Sequence, residues 1–190
     1  MFYTVPGFAT PGDCWTVITS YERSRPAHGA VVGDPFFDNR VLWIGSLPDS
    51  ENGAREVLQD WTERATLAVS LHAGRRLYCD GIQVVRWDGQ EMPPHYDDRH
   101  PNGSPHNTPW REWAGVIYLN DDYEGGDLWF PSTGDAYKPV AGTFVFFKGS
   151  LMHGVHQVAQ GLRYTSPSWY TTDPSREDPF SYVPTSSTRQ

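Results

Sequence analysis

The amino-acid sequence predicts a mainly β domain with flanking helices (α+β), an antiparallel barrel or double-sheet jelly roll braced by N-terminal helices. Three observations predict it. The second half of the chain is a succession of short β-branched and aromatic runs separated by turn residues, the pattern of a strand meander. Earlier segments carry apolar residues at helical spacing instead. The composition agrees: eight Trp, ten Tyr and nine Phe, with sixteen Pro and eighteen Gly, suit a β-rich domain with many turns better than a helical bundle.

The elements follow in order. Residues 2–5 read as a short strand, and "TPGDCWTVITSYERS" as a helix with Thr10 or Asp13 near its start. Residues 24–40, rich in Pro, Gly and Asp, read as a loop, and "NRVLWIGS" as a short strand or extended segment. The clearest helix is "SENGAREVLQDWTERATLAVSLHAG". In it Leu58, Trp61, Ala65 and Ala68 recur at three- and four-residue steps and Gly74 supplies the stop. Then the period changes. "YCDGIQVVRWD", "WREWAGVIYLND", "GGDLWFPS", "GTFVFFKG", "HGVHQV" and "GLRYTSPSWYTT" each read as strands. One domain over 1–172 is expected, with a helical support layer within 1–80, a β core over about 80–172, and a Pro/Ser/Thr-rich tail over 173–190.

The net charge of −8 argues against a broad nucleic-acid or anionic-membrane footprint. The opening residues lack the basic start and apolar run of a signal peptide, and no stretch approaches the roughly 20 apolar residues of a membrane span. A cytoplasmic protein is the expectation. Cys14 and Cys79 form neither a disulfide framework nor a zinc-finger pattern, and whether they pair is open; so is the oligomeric state.

The chemistry gathers around "PPHYDDRH", which sets His95 and Asp97 one residue apart. Alternate side chains of an extended segment share a face, so this pair can converge on one ion. A third ligand is needed, and His100, His106, His153 and His156 all lie downstream. Two histidines and a carboxylate on one face of an ion leave positions open, as suits non-haem Fe(II). Further on, "HGVHQVAQGLRY" sets a histidine at 153, a glycine at 161 and an arginine at 163. Arg163 is either an ordinary surface charge or an inward-facing cation. In an apolar barrel the second would require a carboxylate or phosphate partner. Thr165 falls on the same side of the strand.

Together these stretches resemble the Fe(II)- and 2-oxoglutarate-dependent oxygenases, in particular their prolyl 4-hydroxylase-like branch. "VVRWDGQEMPPHYD" is similar to the segment carrying the HxD pair. "VIYLNDDYEGGDLWFP" resembles that branch's Tyr-Leu-Asn strand and double-glycine turn. "GTFVFFKGSLMHGVHQVAQGLRYTSPSWY" resembles its last strands, with an arginine ten residues after the distal histidine. The resemblance implies a cupin-like double-stranded β-helix with Fe(II) held by His95, Asp97 and His153. It implies 2-oxoglutarate bound through its remote carboxylate by Arg163, assisted by Tyr118 and Thr165, with O2 as oxidant and ascorbate as a further reductant. The Arg163 spacing favours His153 over His156. Trp87 stands where many relatives have tyrosine, so no hydroxyl contact is carried over there. A carboxylate at Asp97, where related halogenating enzymes have a small residue, implies hydroxylation.

The activity implied is hydroxylation of an unactivated C–H bond with release of succinate and CO2. A prolyl residue in a peptide or protein leads as substrate, a free amino acid or small metabolite is the alternative, and a non-catalytic cupin-like binding module is the reading from another class. The loop "DRHPNGSPHNTPWREW" offers Trp110 and Arg99 as substrate candidates. A long loop beside an open barrel mouth is often a lid, although Trp110 tucked away from the mouth fits the same sequence. His100 and His106 read as solvated or at most touching substrate, and Arg111 as a surface charge.

Overall fold

The structure is a computed structural model that describes residues 1–25, 40–177 and 180. Most of the predicted loop at 24–40 and most of the tail beyond 173 therefore lie outside the described residues. Strand β1 (Phe2–Val5) leads into helix α1 (Pro11–Arg23). Thr10 caps that helix, its hydroxyl oxygen accepting from the Asp13 amide at 3.1 Å, with Pro11 in the first turn where its missing N–H costs nothing. After β2 (Val41–Trp43), helix α2 runs Asn52–Ala73 and stops at Gly74, whose φ of 66° is the left-handed C-terminal cap. The strands that follow are β3 (Tyr78–Trp87), β4 (Met92–His95), β5 (Trp113–Tyr118), β6 (Glu124–Gly125), β7 (Leu128–Phe130), β8 (Asp135–Tyr137), β9 (Phe144–Lys148), β10 (His153–Val155), β11 (Val158–Gln160) and β12 (Arg163–Thr171).

They form a six-stranded sheet in the order β1-β9-β5-β12-β3-β2, a four-stranded sheet β4-β10-β7-β8, and the small pair β11-β6. All pairings within them are antiparallel. This is the double-stranded β-helix that the sequence predicts. The large sheet is buried on both faces. Ile82, Val84, Ile117, Phe144, Phe146, Tyr164 and Tyr170 share one core with Val17, Tyr21, Leu58, Trp61 and Val69 of the helices. The alternate residues of the same strands, among them Val85, Trp87, Tyr118, Phe147, Arg163 and Thr165, line a cavity of about 410 Å³. Strand period therefore sorts structure from chemistry: one face anchors the helices and the other builds the site.

Two features were not legible. "MPPH" is not among the runs that read as strands, yet it is β4, pairing with β10 through His153↔His95. It is tolerated because β4 is a sheet edge, where prolines without N–H groups leave no ladder bond broken and discourage further pairing. The short β6 and β8 carry too little apolar alternation to be seen. Pro167 is the converse case, a proline within a central strand. The ladder runs Thr165↔Val85 and Ser168↔Ile82, which sets Pro167 across from Gln83. The buried Ser166 hydroxyl donates to the Gln83 carbonyl at 2.8 Å, supplying a hydrogen bond beside a residue that has no amide proton to give.

Candidate metal centre

His95 ends the edge strand β4 and His153 begins β10, so their register pairing brings the two rings to 4.4 Å between centroids. Asp97 lies one residue past Tyr96, anchored by its amide donating to the Gly149 carbonyl at 3.0 Å. One ligand atom from each of His95, Asp97 and His153 lies within 4.8 Å of the others. In both imidazoles Nδ1 is held at 2.9 Å by a backbone carbonyl two residues upstream, Pro93 for His95 and Leu151 for His153. Nδ1 therefore carries the proton, and Nε2 is left as the free lone pair in each ring. Burial lowers the pKa of His153, with Asp97 opposing, so the ring is held in the neutral form that binds metals. His156 takes no part; it is exposed and stacked on Trp129 at 5.1 Å.

Asp97 makes the test of fit. Its Oδ1 accepts from Trp169 Nε1 at 2.9 Å, whereas Oδ2 is buried with no hydrogen-bond partner among the described residues and lies 3.8 Å from His153 Nε2. A bare buried carboxylate oxygen beside two imidazole lone pairs is costly alone, and a divalent cation would complete it. Two histidines and one carboxylate on one side of such an ion match the donor set of non-haem iron sites.

Deeper in the same cavity, Arg163 is 2 % exposed. It donates through Nη2 to the Tyr118 hydroxyl at 3.4 Å and faces the rings of Tyr118 and Trp87 at 5.1 and 5.6 Å. No carboxylate among the described residues pairs with it, and its Nε has no partner. Burial pushes the Tyr118 phenol up to about 12, with Arg163 pulling against it. The phenol stays protonated and, while accepting from Arg163, keeps its own proton to donate. Thr165 lines the cavity two residues on. A buried cation, a phenol and a hydroxyl at one end of an apolar pocket fit a small carboxylate.

Gly126 shows how tightly that end is drawn. Its φ is 69°, and a Cβ there would lie 2.9 Å from Arg163 Cδ. The double glycine thus serves the turn and the passage of the arginine stem together. Tyr123, just before it, is buried with its ring edge 3.0 Å from that same position. It was missed because "DDY" has no strand alternation to assign it a face. Trp169 was missed for a different reason: nothing in the local pattern of the last strand hints at its bond to Asp97.

At the mouth the structure brings in Arg99, His100, His106 and Arg111. Arg99 pairs with Asp98 at 3.1 Å and lies 4.4 Å over the Tyr96 ring. Arg111, expected on the surface, is instead drawn inward by Asp80 at 3.0 Å. Trp110, the other substrate candidate, is not among the residues lining the cavity: its Nε1 donates to Asp80 at 2.7 Å and the Arg176 guanidinium covers its ring at 3.9 Å. Although the chain is acidic overall, Asp97 is the one carboxylate among the described lining residues.

Residues 82–171 match the family model of the 2OG-Fe(II) oxygenase superfamily, a span that holds His95, Asp97, His153 and Arg163. This segment is a 2OG-Fe(II) oxygenase domain. Its sequence is 34% identical over 76 residues to mouse prolyl 3-hydroxylase 3, a match over 36% of this chain and 10% of that protein. The chain thus spans only a small part of the curated relatives it matches. Among solved structures, a prolyl-4-hydroxylase of Pseudomonas putida superimposes with a TM-score of 0.67 at 18% identity, covering 90% of this chain and 92% of the other. The viral collagen prolyl hydroxylase of Paramecium bursaria chlorella virus 1, in its 2OG complex, gives 0.65 at 20% identity, covering 90% and 96%. These likenesses show the shared oxygenase fold. The Cys14 and Cys79 thiols are both free and buried, and no described helix is long and apolar enough to cross a membrane.

Proposed function

We propose that this oxygenase uses Fe(II), 2-oxoglutarate and O2 to hydroxylate an unactivated C–H bond, with a prolyl residue of a peptide or protein as substrate. The observation that carries the reading is the pairing, in one cavity, of a three-ligand cluster with a buried arginine that has no carboxylate partner among the described residues. In this reading His95, Asp97 and His153 hold the metal. Arg163 takes the remote carboxylate of 2-oxoglutarate through its fork, Tyr118 donates to the same carboxylate, and Thr165 adds a hydroxyl. Bound iron and 2-oxoglutarate together supply the oxygen activation, with succinate and CO2 as coproducts.

The protein's own work is to position and to exclude. The Pro93 and Leu151 carbonyls fix both rings, Trp169 turns one oxygen of Asp97 away, and Val85, Leu128, Phe147 and Val155 wall the cavity against water. Substrate enters past Arg99, His100 and His106, and Arg99 is the substrate contact retained from sequence. The prolyl preference rests on what the similar proteins are named for. The test is anaerobic loading with Fe(II) and 2-oxoglutarate, then O2 with ascorbate, and mass spectrometry of proline-rich peptides and free amino acids for +16 Da products. Hydroxylated peptide is expected. Product on free amino acids alone would shift the substrate to small molecules, and absence of 2-oxoglutarate turnover with every substrate would refute the reading.

A further inference from the structure

The carboxylate of Asp97 is held by a chain of contacts reaching well outside the cavity. Trp169 Nε1 donates to Asp97 Oδ1 at 2.9 Å. The face of that indole lies against the Arg111 guanidinium, whose Cζ is 3.9 Å from the ring centroid. Arg111 Nε donates in turn to Asp80 Oδ2 at 3.0 Å, and Trp110 Nε1 donates to the same oxygen at 2.7 Å. The Arg111 and Asp80 side chains are 15% and 5% exposed, so solvent screens their pairing little. The contacts bridge three neighbouring strands: Asp80 sits on β3, Arg111 just before β5, and Trp169 on β12 between them.

We infer that Arg111 is a positioning residue for Asp97, acting through Trp169; the inference rests on Asp97 being a metal ligand. An indole can swing about its χ2 torsion, which would carry Nε1 away from Oδ1 and free both carboxylate oxygens. A guanidinium stacked on the ring face and clamped by a buried aspartate removes that freedom. Oδ1 then stays with the indole, and Oδ2 alone would be offered to a bound metal.

Groups that orient metal ligands typically change metal affinity by about 10- to 100-fold when removed. The experiment titrates Mn(II), a redox-quiet stand-in for Fe(II), into purified full-length protein by calorimetry, with no 2-oxoglutarate or substrate present. Arg111→Ala and Trp169→Phe, which keeps the ring and deletes the N–H, are each expected to weaken Mn(II) binding by that factor. The double variant is expected to match Trp169→Phe alone, because Arg111 acts through the N–H. Arg111→Lys, which keeps the charge without the planar face, is expected to remain weakened. Thermal unfolding without metal reports whether each variant folds, and Asp80→Asn carries the test if Arg111→Ala does not. Wild-type Mn(II) affinity in Arg111→Ala, full restoration by Lys, or additive losses in the double variant would each overturn the inference. A wild-type protein that binds no Mn(II) would instead overturn the metal reading beneath it.

Discussion

Replacing Arg163 with methionine separates its cost to the fold from its use to the cosubstrate. Arg163 is 2 % exposed; it donates one 3.4 Å bond to Tyr118, faces two rings beyond 5 Å and has the Tyr123 phenol as a further neighbour. Desolvation of such an ion costs several kcal/mol, and a well-placed ring face returns about 2 kcal/mol. An apolar side chain of similar length is therefore expected to leave the ligand-free protein as stable as wild type, or up to about 1–4 kcal/mol more so. For a chain of this size each kcal/mol moves the midpoint by about 2–4 °C. With 2-oxoglutarate the sign reverses. Loss of a buried, charge-assisted carboxylate contact costs about 2–5 kcal/mol, or roughly 30- to 4000-fold at 1.4 kcal/mol per decade. The assay is calorimetric titration of 2-oxoglutarate into Mn(II)-loaded protein, alongside thermal unfolding of the ligand-free form. Mn(II) affinity should be unchanged, because Arg163 touches none of the three ligands. A 2-oxoglutarate Kd within threefold of wild type, or a ligand-free midpoint many degrees lower, would refute this reasoning.

Asp97→Ala and His153→Ala are each expected to abolish Mn(II) binding while His156→Ala retains it, since His156 is stacked outside on Trp129; equilibrium dialysis decides. Tyr118→Phe removes one hydroxyl from the arginine end and should weaken 2-oxoglutarate by about 0.5–1.5 kcal/mol, measured by the same titration. Gly126→Ala sets a Cβ against Arg163 Cδ at a φ of 69°, so 2-oxoglutarate binding should fall with metal binding intact. Leu58→Ala empties part of the helix–sheet core and should cost about 2–5 kcal/mol in urea unfolding, leaving Mn(II) affinity per folded molecule unchanged.

What the sequence disclosed depended on how local the signal was. Helices α1 and α2 announced themselves through caps and apolar spacing, because those determinants lie within a few residues of each other. His95, Asp97, His153 and Arg163 were legible because their spacings and flanking stretches resemble a family pattern. Bare residue types left four histidines competing for one role, and the His153↔His95 register separates them. Trp110 and Arg111 changed places for a reason no local pattern holds. Both donate to Asp80, some thirty residues earlier, and that one buried carboxylate turns the tryptophan away from the cavity and the arginine toward it.

β12 makes the dependence of chemistry on register most acute. Arg163, Thr165 and Trp169 line the cavity from its odd positions, while Tyr164 and Tyr170 pack into the helix-facing core from its even ones. A slip by one residue would push the arginine into that core and a tyrosine into the cosubstrate end, losing the fold's packing and the site together. Specific polar contacts oppose it on the side away from the chemistry. The Tyr164 hydroxyl donates to Glu22 of α1 at 2.8 Å, and Ser168 and Tyr170 share a buried hydroxyl bond at 2.7 Å. Ser166, bonded to the Gln83 carbonyl next to Pro167, adds a third. The side chains of Tyr164, Ser166, Ser168 and Tyr170 do not line the cavity, yet each would lose its partner by the shift. The helix-facing side of the strand thus sets which residues meet the metal, and a polar residue there is as much a determinant of the site as the ligands it never touches.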